Sequence, residues 1–462
     1  FWIPGYAPIS GDRNDAETIK QGFYKRVGGD PAYLCNFTRR VARDLEAYSR
    51  KEAKKMPKVD VHSVDEFIDQ LRFPESRKQQ YRDAYAASNY CRPSASVSHH
   101  VKGFIKVESY PQYKPVRWIN SRVDEFKVWC GPMFKAIEQV VYDMMPEFIK
   151  HTPVPDRPAK INRLDDNIFT HKYATDWTSM EKHFKARVMR ALEFPLYDHM
   201  LSNLPRRDRN FLFTILSGTN IITGMHGISA KVHATRMSGE MNTSLGNGWC
   251  NRLVSKFIVE VLKKGKFVGY VEGDDSIFAS SVEVTTEDYH RLGFDVKINE
   301  FDTASEASFC GIISAADGSL IRDPIRVLQT FGWTSSFISS GERVMMELLR
   351  AKAMSLAFEC PACPIVTALA EAALKYTRGV TPRFVSDGYH DFSIIPRDEK
   401  HINCNKPSAA ARALMEKKFG ISASLQEYIE ELIKLHDFDR IATILPASQN
   451  SWNYEQLYVA TG

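Results

Sequence analysis

The chain has no apolar run approaching the ~18 residues of a membrane span, and no basic-then-apolar leader opens it. Cysteine is sparse. Eight in 462 residues do not make a disulfide framework, and a reducing compartment is the simpler expectation. Charge of one sign is also lacking. A net +5 is too small for a global field to gather nucleic acid, so any such binding must come from local patches. There is no internal repeat, no low-complexity segment and no stretch of disordered composition. The first residue is Phe rather than Met, as expected of a fragment, a processed product, or the downstream part of a readthrough or frameshift protein. What is present is core material. An apolar fraction of 44%, with 27 Phe, 19 Tyr and 7 Trp, allows a large interior, and the length predicts two or three lobes.

Tyr270 to Ala279 reads YVEGDDSIFA, apolar residues flanking a Gly-Asp-Asp core. That is the pattern of two short strands joined by a tight turn, with Gly273 supplying backbone angles that a side chain forbids. Asp274 and Asp275 then sit at the tip with no basic residue in the turn. Crowded carboxylates repel, and a divalent cation is the usual compensation. Mg²⁺ prefers one or two carboxylates plus phosphate oxygens, which suits an enzyme that handles nucleotides. A solvated surface turn is the plainer reading of these residues alone.

Other stretches add to this one. From Lys102 to Arg122 five basic residues (Lys102, Lys106, Lys114, Arg117, Arg122) face one acid, Glu108, with four aromatics interleaved. Alternation predicts a strand presenting Lys106 and Glu108 on one face, and extended basic strands can line a channel for phosphates. A basic solvated hairpin is the alternative. Residues 168–174 read as an extended piece delivering Asp176 just past its end, with Glu181 opening a helix whose stripe is Phe184, Val188 and Leu192. Asp176 would also serve as a helix cap. Ser238-Gly239 reads as a flexible loop. The helix after it, from near Asn242, carries the stripe Leu245, Trp249, Leu253, Phe257 and Val261 and stops at Lys263-Lys264-Gly265. Thr243 and Asn247 share a face of its first turns, where a hydroxyl and an amide can bond a ribose 2′-OH or merely cap the helix.

Two features stay outside this pattern. Cys360 and Cys363, with His401 and Cys404 downstream, have spacings that could ligate zinc, or that suit packing in a Pro-containing link between helices. Residues 1–98 show a solvated helix end around Glu46 to Lys58 and a capped helix start at Ser63, but no chemistry.

Metal-assisted phosphoryl transfer needs two carboxylate clusters on neighbouring strands. Asp176 and Asp274/Asp275 meet that need if their strands lie side by side. The order of the pieces resembles the palm motifs of viral RNA-dependent RNA polymerases, most closely the tombusvirus-like group of positive-strand RNA viruses. FIKVE with KPVR is similar to the fingertip motif that grips the triphosphate. Asp176 with Glu181 matches the first palm motif, ATRMSGEMNTSLGN the second and EGDDS, the GDD motif, the third. LGFDVK resembles the fourth, whose lysine is here Lys297, and FCG with IRDPIRVLQ the fifth. Glu181 stands where the family usually has a second aspartate, one methylene shorter. The resemblance covers about residues 100 to 335.

The resemblance implies an α+β right hand: fingers, an antiparallel-sheet palm and a helical thumb. The expected divisions are 1–165 for the N-terminal segment and fingertips, 166–195 and 237–330 for the palm, 196–236 for a fingers insertion, and 331–462 for the thumb. Asp176, Asp274 and Asp275 would hold two Mg²⁺ ions, with Mn²⁺ as a substitute, and Lys297 would protonate pyrophosphate. Lys106, Glu108, Arg117, Glu181, Ser238, Gly239, Thr243 and Asn247 would bind the nucleotide, Ser238 and Gly239 by leaving room for it. Lys114, Arg122, Phe309 and Cys310 would contact RNA. The implied partners are an RNA template and nascent strand, NTPs, a viral accessory replication protein and, indirectly, a host membrane, but not DNA. The implied place is a membrane-associated replication complex in the host cytoplasm. No anchor is visible in these residues, so one would come from a partner or a further segment. Two rivals share parts of the pattern. A reverse transcriptase would normally carry an aromatic before the paired aspartates, where this chain has Glu272-Gly273. An RNA-binding scaffold with an inactive polymerase fold would not require all three carboxylates and both fingertip cations.

Overall fold

The computed structural model describes residues 1–445 other than 2, 4–8, 13, 107, 111–114, 167–168, 335–336, 338, 386–394 and 396–401. The fold is α+β, with helices outweighing antiparallel and mixed sheets. The strands in chain order are β1 (Ile9–Ser10), β2 (His100–Ile105), β3 (Ser109–Tyr110), β4 (Trp118–Arg122), β5 (His171–Trp177), β6 (Thr219–Gly224) and β7 (Ser229–His233). They continue as β8 (Phe267–Glu272), β9 (Asp275–Ser280), β10 (Val296–Phe301), β11 (Ser308–Phe309), β12 (Ile312–Ser314) and β13 (Leu320–Ile321).

The sheet that positions the site has the order β10-β5-β9-β8, antiparallel throughout. Tyr173, Trp177, Phe278 and Val296 bury one of its faces against helix Thr243–Lys256, whose Leu245, Trp249 and Leu253 are fully buried. The predicted stripe is therefore real, but the helix changes character at its end: Phe257–Leu262 is a π-helix, and Val261 is only half-buried. A second sheet, β4-β2-β6-β7, joins residues 100–122 to 219–233 through a parallel β2–β6 pair. Helix Ala16–Arg26 lies under it, with Ile19 packed among Val101, Ile105, Trp118 and Ile222.

A separate core forms at the C-terminal end. Helices Glu342–Glu359, Val366–Tyr376, Ala409–Phe419 and Ala423–Lys434 pack around Leu369, Ala373, Met415 and Ile433. Ile312, Ile313, Leu320 and Ile321 of β12 and β13 belong to this core, and so do Phe1 and Ile3. Phe1 and Val27 thus belong to different cores, Phe1 against Phe331, Tyr376 and Phe438 and Val27 beneath β2.

Two local expectations differ. β5 runs through Asp176 to Trp177, so Asp176 lies within the strand and caps no helix. The helix predicted from Glu181 is broken: Met180–His183 ends at Phe184, and a new helix, Ala186–Leu192, starts after Lys185. Phe184, Val188 and Leu192 are nonetheless all buried, because spacing by four satisfies the same core face on either side of the break.

Candidate active site

β8 and β9 pair from Phe267↔Ser280 to Glu272↔Asp275, leaving Gly273 and Asp274 as a two-residue turn. Gly273 has φ +62°, the left-handed region that favours glycine. Helix Thr243–Lys256 fixes the turn from behind. Asn251 Nδ2 donates to the Asp274 carbonyl at 2.9 Å. Gly248 admits this approach, since a Cβ there would lie 3.0 Å from the Phe148 ring and 3.5 Å from Gly273 N.

The register then lines up one rung across four strands. Lys297 of β10 pairs with Asp176 of β5. Continuing the β5–β9 register one step beyond Thr175↔Ser276 sets Asp176 opposite Asp275, which itself pairs with Glu272 of β8. Residues opposite one another share a face, so Lys297, Asp176, Asp275 and Glu272 point the same way. Lys297 and Asp176 are exposed, the other two half-buried. Glu272 has its own partners, Arg157 at 2.7 Å and the Cys310 thiol, which donates at 3.7 Å.

Burial, then the charges of Asp274, Asp176 and Glu272, push the Asp275 carboxyl up to about 7. Asp274 is also raised, by desolvation first and Glu181 second, with Arg117 and Arg26 opposing. Its side chain still meets solvent at the tip, so that desolvation is partial. Among the described residues no three His, Cys, Asp or Glu side chains already form a closed metal cage. The donor set is nevertheless hard oxygen under mutual repulsion. It fits a cation that takes few protein ligands and fills its shell with phosphate and water, as Mg²⁺ does.

Beside the turn, Glu181 Oε1 accepts from Asn247 Nδ2 at 3.2 Å, and Glu181 Oε2 lies 3.5 Å from the Arg26 guanidinium. The buried Asn247 Oδ1 has no hydrogen-bond partner among the described residues. Thr243 turns its hydroxyl hydrogen to the Met237 carbonyl at 3.1 Å, which leaves only its oxygen lone pairs for a ligand. On the other side Glu108 sits between Lys106 at 3.3 Å and Arg117 at 3.6 Å. The Tyr110 hydroxyl donates to Glu108 at 2.8 Å and accepts from Arg117 N at 3.1 Å. Lys106 lies just past the end of β2, and its backbone N donates to the Arg117 carbonyl.

Several expected contacts are corrected. Arg122 is fully buried, holding Glu240, Asn220 and the Ser98 carbonyl, so it cannot meet RNA. Phe309 is 2% exposed, in a core with Ile149, Ala174 and Ile277. Cys310 occupies the β11–β12 turn at φ +53°, half-buried with its thiol on Glu272. Ser238-Gly239 is not an open loop. Ser238 Oγ accepts from Asn120 N at 3.1 Å, Gly239 N donates to Asn120 O at 2.7 Å, and a Cβ on Gly239 would lie 2.8 Å from that oxygen. Lys114 and His401 lie outside the described residues. Cys360 and Cys363 are buried core thiols, and burial pushes Cys360 up to about 12, away from the thiolate a metal needs. Cys404 is half-buried.

Sequence reasoning missed Arg26, Tyr110, Asn251 and Glu272. Asn251 carried a signal, since it follows Asn247 by four on the same helix face. Arg26 carried none, because its partner is 155 positions away (181 minus 26). Neither the protein families nor the curated proteins compared with this chain match it.

Proposed function

We propose that the protein is an RNA-dependent RNA polymerase that copies a viral RNA genome by metal-assisted nucleotidyl transfer. The observation that carries this reading is the rung of Lys297, Asp176, Asp275 and Glu272, with Asp274 at the adjacent tip. In the right-hand arrangement the β10-β5-β9-β8 sheet is the palm, the C-terminal helical core the thumb, and the β4-β2-β6-β7 sheet part of the fingers.

Asp176 and Asp274 would hold two Mg²⁺ ions, with Mn²⁺ as substitute and Asp275 assisting. Such ions lower the pKa of a primer 3′-OH and neutralise the charge on a leaving pyrophosphate. The protein's own groups do the rest. Lys106 and Arg117 neutralise the triphosphate, and Glu108 with Tyr110 keeps both cations aimed. Glu181, fixed between Arg26 and Asn247, presents a polar edge to the sugar, joined by the Asn247 and Thr243 side-chain oxygens. Lys297, exposed beside Asp176, is placed to give a proton to pyrophosphate. The partners of this activity are RNA template, nascent strand and NTPs, in a membrane-associated replication complex of the host cytoplasm with a viral accessory protein. Among the described residues no helix is long and apolar enough to cross a membrane.

Asp274→Ala tests the assignment. RNA synthesis should fall by ~10³-fold or more while RNA binding stays within about twofold of the unaltered chain. Equal loss of both would sink it.

A further inference from the structure

The outer face of the β4-β2-β6-β7 sheet has a composition that the active site does not explain. None of its four strands contains Asp or Glu. The inner face is closed by helix Ala16–Arg26 and the core around Trp118. Alternation turns His100, Lys102 and Phe104 of β2 outward, and Ser229, Lys231 and His233 of β7 outward, all exposed.

The registers place these groups together. One row across the strands reads Ser121, Lys102, Thr223, Ser229. The next sets His100, Ile221 and Lys231 side by side, and Phe104 stands beside Ile119. Phe104 is 43% exposed, a large aromatic surface left to water in a strand whose inward residues are buried. Neither Lys102 nor Lys231 joins an ion pair among the described residues. Beyond Ile105 the chain passes directly to Lys106, so this face runs on into the Lys106–Glu108–Arg117 cluster.

We propose that this face is a platform for single-stranded RNA, which lies across the sheet with a base on Phe104 and phosphates on Lys102 and Lys231. An aromatic ring stacks on any base, and cations without neighbouring carboxylates attract a backbone of any sequence. Strands ~4.8 Å apart and a two-residue offset of ~7 Å along them put Lys102 and Lys231 about 12 Å from each other across β6, with Thr223 and Ser229 as further hydrogen-bonding groups. The bases of a single strand are open to stack on Phe104, whereas a duplex keeps its bases paired inside, so the preference is for an unpaired strand. The choice of RNA over another polyanion rests on the polymerase reading. The cationic and aromatic chemistry of the face does not.

The test is fluorescence anisotropy of a labelled single-stranded oligoribonucleotide with the full chain, over a salt series. Phe104→Ala should weaken binding about tenfold. Lys102→Ala combined with Lys231→Ala should also weaken it about tenfold, and reduce the slope of log affinity against log salt by about 1.4. All these side chains are exposed, so the thermal midpoint should not move. Wild-type affinity and salt slope in both variants would overturn the platform while leaving the polymerase reading standing. Equal weakening toward an RNA duplex would overturn the single-strand preference. Failure of the unaltered folded chain to bind RNA at all would overturn the platform and the polymerase reading together.

Discussion

Asp275 is the residue whose proton a bound cation would displace. An aspartate in the unfolded chain titrates near ~3.9, whereas in the fold Asp275 titrates at about 7. Below pH ~4 both states hold the proton and the crowding costs nothing. As pH rises from about 4 to 7 the unfolded chain releases its proton more readily, so stability falls, and the loss is complete above about 7. A cation among the carboxylates offsets that loss. Mg²⁺ should therefore raise the melting midpoint by several degrees at pH 8 and little at pH 5, and Asp275→Asn should remove the difference. The same gain at both pH values would contradict this. Asp176, Asp274 and Asp275 were legible in the sequence because a local pattern marks each of them. Glu272 was legible only as a neighbour of the turn, and its place in the rung needs the strand register. Arg122 was misjudged by charge alone. Alternation along Trp118, Asn120 and Arg122 puts all three on the inner face, where Glu240 neutralises the guanidinium.

At the scale of elements, the approach of the Ser238-Gly239 loop to β4 covers what would otherwise be a free strand edge. Gly239 has no room for a side chain, because its closest obstacle is the Asn120 carbonyl in the backbone. Gly239→Ala should cost ~1–3 kcal/mol in denaturant unfolding and weaken nucleotide binding, since this loop leads into helix Thr243–Lys256. A loss under about 0.5 kcal/mol would mean that the loop is not held against β4. The β8–β9 hairpin and the start of helix Thr243–Lys256 were legible because turn chemistry and periodicity are local. The helix break at Phe184 and Lys185 was not, because both sides serve one core and the periodic signal runs through it. The π-helix at Phe257–Leu262 was hidden for the same reason. Helices Ala423–Lys434 and Phe438–Ile444 were missed, although Ser422 and Asp437 cap them through their side chains.

At the scale of the molecule, distant segments are tied by buried arginines. Arg252, 2% exposed, spans Glu52 at 3.1 Å and Glu147 at 2.8 Å, so helix Arg39–Ala53 is fastened to the helix that backs the turn. Arg252→Met would leave the buried Glu52 with Lys55 and Lys256, and the half-buried Glu147 with Lys256. It should destabilise the fold by ~3–5 kcal/mol, measured by urea unfolding. A change below about 1 kcal/mol would mean that water already screens the cluster. This tie explains why residues 1–98, which showed no chemistry by themselves, matter to the site. Glu52 supports the backing helix, and Arg26 reaches Glu181 from helix Ala16–Arg26. That the chain buries a large interior was legible from its apolar content. The placement of Phe1 in the C-terminal core was not, because no local pattern records a contact between Phe1 and Phe438.

The proposed activity is nucleotidyl transfer by the carboxylate rung and its turn. The most direct measurement is incorporation of labelled NTPs on a single-stranded RNA template with Mg²⁺ or Mn²⁺, beside Asp274→Ala and a dNTP series. Template-dependent product from ribonucleotides, lost in the variant and poor with dNTPs, is the predicted result. Folded, RNA-binding protein that makes no product with either metal, or that prefers dNTPs, would contradict it.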